Sequence, residues 1–356
     1  MKILVISLAG IGDTLFATPL IHELRANFPT ATIDAFVRWS GAKGLLENNP
    51  HLDSVYQRDI AAESKISALR FLLSLRRNRY NVSLNTHPQS NRLYRVAARV
   101  IGAPVRISHE YECSGALDHL LVNRTIPQDY ARHAVENNLA FLKFLDAAPK
   151  LSDHRYELFL TDAERAWADE YVAQQNLQSR PMLGIHVGSG GTKNLALRRW
   201  PLENYIELVR RLHEKMPELA VLFFGGPEEQ RDHEKIQAMT SGAELFFPKT
   251  QNLRQAGALI GKCGFFLSVD TSLMHIAAAM RVKQVVIETP TWNKPIEPYG
   301  NPFTLVKNPA VAGRNLEYYC YDAGDIKGTR EELLRCMASI KVEDVQDCLM
   351  KTFAER

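Results

Sequence analysis

The chain has no CxxC pair, no apolar run near the ~18 residues that cross a bilayer, no Gly-Lys-Ser/Thr phosphate loop and no internal repeat. Each absence removes a class of protein. Five cysteines (Cys113, Cys263, Cys320, Cys336, Cys348) are an odd number scattered through 356 residues. They support neither a disulfide framework nor a structural zinc site, and reduced thiols are expected. Without Walker A spacing the chain is not a P-loop nucleotide triphosphatase. The opening MKILVISLAG has the apolar start of a signal peptide, but Asp13 arrives early and no small-residue cleavage site follows. A cytoplasmic protein is expected.

Net charge is also scarce, at +3, yet it is unevenly spread. Residues 58–106 carry ten basic side chains (Arg58, Lys65, Arg70, Arg76, Arg77, Arg79, Arg92, Arg95, Arg99, Arg106) against Asp59 and Glu63 alone. Such a run is a solvated face, or else it attracts an anionic surface at roughly 1 kcal/mol per basic residue. The aromatics are not interleaved with these charges as a nucleic-acid stacking platform requires, so nucleic acid is set aside.

What is present is an α/β pattern long enough for two domains, 46% hydrophobic and 23% charged. Lys2 to Leu8 reads as a strand, Ala9 to Thr14 as a tight turn, Leu15 to Phe28 as a helix stopped by Pro29, and Ala31 to Val37 as the next strand. That is a βαβ unit opening a parallel sheet. Its GxGD turn falls short of a dinucleotide fingerprint. Gly10 and Gly12 still permit close approach, and they leave Asp13 at the carboxyl end of a strand, where open α/β sheets bind ligands. Asp13 is either that ligand-facing carboxylate or a helix N-cap.

Ser64 to Arg79 and Arg92 to Ile101 read as basic helices, the second ended by Gly102, with a strand over Tyr80 to Asn85 between them. His133 to Asp146 is a further helix, and Thr161 to Glu164 opens another. Between them, Pro149 to Leu160 is the expected domain boundary. From Pro181 the sheet pattern restarts: a strand over Met182 to Val187, a glycine loop at 188–193, a helix over Leu202 to Lys215 and a strand over Ala220 to Phe224. A helix over Leu253 to Gly261 and a strand over Gln284 to Glu288 follow. The tail, Arg330 to Ala354, reads as two helical segments separated by Lys341 to Glu343.

Phe265 to Met280 (FFLSVDTSLMHIAAAM) joins a buried strand to a small-residue helix through N-cap chemistry. The open N–H groups and the positive dipole end of that helix suit an anion. Asp270, Thr271 and Ser272 would lie at a bound diphosphate, with His275 a turn further in. The stretch is otherwise only a capped core helix. The loop GSGGTKN, with Lys193, Arg198 and Arg199, offers glycine amides and cations for the other half of such a site. Glu228 and Glu229, after the Ala220 to Phe224 strand, are either acceptors for a ribose diol or favourable first-turn charges.

The segments ISLAGIGDTLFATPLIHELRANFP, RHAVENNLAFLKFL, HVGSGGTKN…RRWP, FFGGPEE, SVDTSLMHIAAAM and RCMASIKVEDV, in that order, resemble the heptosyltransferase family, glycosyltransferase family 9. The resemblance covers most of the chain. It implies a glycosyltransferase-B architecture, two Rossmann-like domains facing across a cleft. Residues 1–160 would be the acceptor domain, 161–180 a linker helix and 181–329 the nucleotide-sugar domain, with 330–356 packing back on the first domain. It implies inverting transfer of heptose from ADP-heptose to the inner core of lipopolysaccharide, with Asp13 as general base and Gly10, Gly12 and Thr14 on the acceptor side. Ser189, Lys193, Arg198, Glu228, Asp270, Thr271, Ser272, Leu273 and His275 would hold the donor. Arg198 stands where family members commonly carry lysine, so Arg198, helped by Lys193, is the expected phosphate cation. No cofactor or metal is required, and the basic 58–106 region would meet an acidic glycolipid at the inner membrane. A related transferase with another sugar or glycan, or an inactive nucleotide- or glycan-binding homologue, are the alternatives.

Overall fold

In the computed structural model the described residues are 1–354 except 89, 113, 189–194, 241, 291–293 and 312–328. Among the described residues the chain forms two compact units, 1–159 with 294–299, and 160–290 with 300–311 and 329–354.

The first unit holds strands β1 (Lys2–Ser7), β2 (Thr32–Val37), β3 (Ser54–Gln57), β4 (Val82–Asn85), β5 (Val105–Glu110) and β6 (Arg124–Pro127), all parallel, in the order β3-β2-β1-β4-β5-β6. Its helices are α1 (Thr18–Asn27), α2 (Ser40–Leu46), α3 (Lys65–Arg76), α4 (Arg92–Ile101), α5 (Ala116–Leu121) and α6 (Ala134–Leu139). Leu4 and Ile6 of β1 and Phe36 of β2 pack on Leu72 and Leu75 of α3 and Ala97, Ala98 and Ile101 of α4. The sheet is therefore covered on this face, as parallel sheets require.

The single helix read from Leu15 to Phe28 is two pieces: a 3-10 turn, Gly12–Ala17, then α1. Pro19 explains the break, because proline fits a first helical turn and not an interior one. The helix read over His133 to Asp146 likewise shortens to α6 and continues as a 3-10 segment, Ala140–Leu145.

The second unit repeats the plan. Strands β7 (Met182–His186), β8 (Ala220–Phe224), β9 (Leu245–Phe246), β10 (Phe265–Ser268), β11 (Lys283–Ile287) and β12 (Phe303–Val306) run in parallel as β9-β8-β7-β10-β11-β12. Its helices are α7 (Asp162–Gln174), α8 (Leu202–Lys215), α9 (Gln230–Met239), α10 (Leu253–Ile260), α11 (Ser272–Ala279), α12 (Arg330–Ala338) and α13 (Val342–Ala354).

The final helices contribute to the core of the second sheet through Met337, Ile340, Val345, Leu349 and Phe353. Phe353 meets Phe265 edge-on at 4.5 Å, and buried Trp200 donates to the carbonyl of Ile340 at 3.0 Å. Helix α7 also belongs here, with Arg254 of α10 on Glu164 at 2.7 Å. Among the described residues no helix is long and apolar enough to cross a membrane.

Three histidines of the first unit are buried and neutral. Burial, helped by Arg95 beside His109 and Lys294 beside His133, lowers those two rings to about 3, and burial among other histidines lowers His87 well below its ordinary value. Unfolded, the same rings protonate near ~6.5. The unfolded chain therefore binds more protons below ~6.5, so their contribution is full above that pH and is lost as pH falls toward the folded values. Melting temperature should drop on acidification from about pH 6.5, and His109→Gln should flatten that slope in calorimetric scans. An unchanged slope would show that this ring does not titrate on unfolding.

Candidate active site

Strand order 3-2-1-4-5-6 reverses direction between its central strands, and ligands of open α/β sheets bind outside the carboxyl ends there. In the first unit that point lies between β1 and β4, in the second between β7 and β10. Four segments leave these ends: Leu8–Ala17 after β1, Thr86–Asn91 after β4, 187–199 after β7 and Val269–Thr271 after β10.

After β1 the backbone folds tightly. The Gly10 amide donates to Asp13 Oδ2 at 2.7 Å, and Thr14 Oγ1 donates to the Gly10 carbonyl at 3.3 Å. A Cβ on Gly10 would stand 2.8 Å from Asp13 Oδ2, so the missing side chain is what lets the carboxylate come in. Trp39 Nε1 braces the turn from outside by donating to the Ala9 carbonyl at 2.7 Å. Asp13 sits half-buried in the first turn of the 3-10 segment, and Ile11 occupies the N-cap position. Gly10, Gly12, Asp13 and Thr14 thus come together.

Beside them, Asn138 of α6 joins the end of β4 to the same turn. Its Oδ1 accepts from the His87 amide at 2.7 Å, and its Nδ2 donates to the Phe16 carbonyl at 3.3 Å. His87 Nδ1 in turn meets Tyr111 Oη at 2.9 Å. The sequence reading did not assign roles to these three residues; 51 positions separate His87 from Asn138, and only the fold pairs them.

At the second switch point Thr271 caps α11, its Oγ1 accepting from the Met274 amide at 3.3 Å. Among the described residues nothing accepts the amides of Ser272 and Leu273, the first two of the helix. Thr271 Oγ1 also lies 3.2 Å from His186 Nδ1, at the end of β7. Burial lowers His186 to about 3, with Arg199 and His233 adding to the effect, so the ring is neutral. Asp270 Oδ2 accepts from Arg198 at 2.6 Å, and its Oδ1 is 4.0 Å from His275 Nε2. Burial pushes the Asp270 carboxyl up, and the Arg198 guanidinium opposes that shift.

Arg199 pairs with Glu229 at 3.2 Å and Asp232 at 3.1 Å. Glu229 also accepts from the Gly226 amide at 2.9 Å. A Cβ on Gly188 would fall 2.3 Å from Glu229 Oε1 and 2.9 Å from His186 Nε2, so that glycine makes room for both. Glu228, by contrast, is exposed in the turn. The two glutamates are adjacent, and a turn has no period that could say which one faces inward. Ser189 and Lys193 lie outside the described residues. Arg198, Asp270, Thr271 and His275 are brought together, while His186, Arg199 and Glu229 are additions to the site that the sequence reading did not commit to.

The Arg198–Asp270 pair is buried on both sides, with side chains 11% and 12% exposed. Breaking such a pair from one side costs about 3–5 kcal/mol, because a charge is left uncompensated. Arg198→Ala and Asp270→Ala should each lower unfolding free energy, and the double variant should lose less than the sum. Urea denaturation measures the cycle, and strict additivity would show that the two charges are not coupled.

The profile of glycosyltransferase family 9 (heptosyltransferase) matches residues 68–322. Lipooligosaccharide heptosyltransferase 2 of Haemophilus influenzae is 25% identical over 320 residues, covering 86% of this chain and 88% of its own. Among solved structures, Escherichia coli ADP-heptose lipopolysaccharide heptosyltransferase II superposes with a TM-score of 0.72 at 21% identity, over 100% of this chain and 99% of its own. The E. coli heptosyltransferase WaaC, solved with ADP-2-deoxy-2-fluoro heptose, gives 0.69 at 18% identity, covering 99% of both chains. The two Rossmann-like units are those of the glycosyltransferase-B fold, and with the profile spanning more than half of its length the chain belongs to glycosyltransferase family 9, the heptosyltransferases.

Proposed function

We propose that the protein transfers heptose from ADP-heptose to an inner-core sugar of lipopolysaccharide, with inversion. The observation that carries the reading is the second switch point. There the open amides of α11, the His186–Thr271 bridge and two arginines converge on one set of strand ends, which is the donor set a nucleoside diphosphate needs. WaaC, solved with a fluorinated ADP-heptose, and relatives named as lipopolysaccharide heptosyltransferases supply the sugar and the acceptor class.

The chemistry is a single displacement. Asp13 takes the proton of the acceptor hydroxyl as its oxygen bonds to the anomeric carbon, and the bond from that carbon to the diphosphate breaks on the opposite face. ADP leaves carrying the electron pair, and Asp13 later returns the proton to water. The leaving charge is met by the amides of Ser272 and Leu273 and by Arg198, which Asp270 holds in place, with Lys193 and Ser189 assisting from the glycine loop. Peptide dipoles and guanidinium groups do this work without a cofactor or metal.

The acceptor class explains α3. Ala68, Leu72 and Leu75 face the core, yet Ile66, Leu69 and Leu73 form a second apolar stripe that is 65%, 47% and 44% exposed. Lys65, Arg70, Arg76 and Arg77 flank it, and Leu117 and Leu120 of α5 are exposed as well. A helix apolar on both sides and basic between them suits the surface of an acidic bilayer, where a glycolipid acceptor resides.

Asp13→Asn should lower turnover by about 10²–10⁴-fold while leaving ADP affinity unchanged in calorimetry; full turnover would remove Asp13 as base. ADP should bind in preference to UDP and GDP and weaken in Arg198→Ala, and a preference for either of the others would overturn ADP-heptose as donor. The triple variant Ile66→Ser/Leu69→Ser/Leu73→Ser should lose binding to phosphatidylglycerol vesicles in co-sedimentation, and added salt should weaken the parent chain. Equal sedimentation of variant and parent would free α3 of any membrane role.

A further inference from the structure

Three side chains of the first unit, remote in sequence and absent from the proposed reaction, meet at the surface. His22 lies on α1, His51 in the turn after α2, and Glu157 in the extended segment that leaves the unit at Phe159. His22 Nδ1 is 2.7 Å from Glu157 Oε1, and His51 Nε2 is 3.9 Å from Glu157 Oε2. The two imidazoles stack with centroids 3.7 Å apart and planes within 14°. One ligand atom from each residue lies within 4.8 Å of the other two.

A hydrogen bond accounts for His22 and Glu157 but not for His51. Its Nε2 is aimed at the second carboxylate oxygen from beyond hydrogen-bonding range. That oxygen, Oε2, is buried and accepts no hydrogen bond from the described residues. A buried carboxylate oxygen left unsatisfied in this way is costly unless something else fills the gap.

The surroundings fix the backbone at Glu157 and His51 and leave the side chains free to adjust. The Glu157 amide donates to Thr18 Oγ1 at 3.0 Å, the His51 amide to Asn49 Oδ1 at 2.9 Å, and Phe159 lies edge-on to His51 at 5.7 Å. Arg25, the nearby cation, donates to the His51 carbonyl at 3.3 Å and is neutralised by Asp53 at 2.8 Å.

We propose that His22, His51 and Glu157 bind a divalent transition-metal ion, zinc being the chemical fit, which clips the exit segment of the first unit to α1 and to the turn after α2. Two imidazoles and a carboxylate are the ligand set of zinc, cobalt or nickel, whereas calcium and magnesium call for oxygen. Bonds of about 2.0–2.2 Å place ligand atoms on the order of 3.3 Å apart, so the 2.7 Å contact opens and the 3.9 Å contact closes by side-chain adjustment. Water takes the fourth position. The proton shared by His22 Nδ1 and Glu157 Oε1 is released to solvent as the ion enters. The segment is already strapped to α1 next door, where Glu23 accepts from the amides of Lys150 and Leu151 and from His154, so the ion would extend an existing seam. The sequence showed no metal-ligand spacing because 135 positions separate His22 from Glu157.

The test uses the full chain, stripped with chelator and dialysed, then titrated with Zn²⁺ in a calorimeter and with Co²⁺ by visible absorption. One ion per chain is expected, with a rise in melting temperature and a Co²⁺ spectrum of low-coordinate form. His51→Gln and Glu157→Gln should weaken binding at least ~10-fold, and His119→Gln, a surface histidine beside Glu110, should not. Melting curves of each variant without metal establish that it is folded. Absence of binding, equal affinity in both ligand variants, or Mg²⁺ binding as tightly as Zn²⁺ would each overturn the proposal.

Discussion

The contact between His186 Nδ1 and Thr271 Oγ1 ties the end of β7 to the end of β10, and the second unit's chemistry is arranged about it. The same Thr271 oxygen that meets the histidine also caps α11, accepting from the Met274 amide. Burial keeps His186 neutral. The parallel register that sets Leu183 beside Phe265 and Ile185 beside Leu267 brings both residues out of the sheet at the same height. From that height the helix amides face outward, and the chain on either side delivers Arg198, Arg199, Asp270 and Glu229 to the same rim.

Burying four charges at one rim does not serve stability. Two charges taken out of water rarely repay their desolvation better than well-packed apolar side chains would. What the Arg198–Asp270 and Arg199–Glu229 pairs do secure is direction: each guanidinium is planar, and a carboxylate on one edge settles where the other edge points. The first unit offers the contrast. Arg95 is buried too, but Asp118 and the His109 carbonyl hold it among α4, the end of β5 and α5. The guanidinium serves as a staple, and Arg92, the Gly115 amide and Arg95 overcome burial to pull Asp118 down to about 2.

Much of this was legible where local signals are complete. Gly102 ends α4 in the left-handed region at φ 78°, Thr161 and Glu164 form a capping box at α7, and α8 spans Leu202–Lys215 as its periodicity requires. Strands β3, β6, β9 and β12 were missed because all four are short sheet-edge strands with few buried residues, so alternation never develops, and the interior strand β5 was missed as well. Asp13 was legible as a strand-end carboxylate, but not the Gly10 amide that turns it back on the loop. The destination of α12 and α13 could not be read either, because an amphipathic face announces that it will be buried and says nothing of which sheet buries it.

The basic stretch shows how far charge counting goes. Of its ten cations, Arg58 pairs with Glu63, Arg92 and Arg95 share Asp118, and Arg106 donates to the carbonyls of Ala103 and Leu121. Arg76 reaches the Val100 carbonyl in the last turn of α4, where a positive group meets the negative end of the helix dipole. Half of the ten cations are thus engaged inside the unit. Lys65, Arg70, Arg77, Arg79 and Arg99 stay exposed, and four of the five lie on α3 or just beyond its end. These charges coincide with Ile66, Leu69 and Leu73, exposed apolar side chains with no core to join, a pairing on one helix that a count of charges alone does not register.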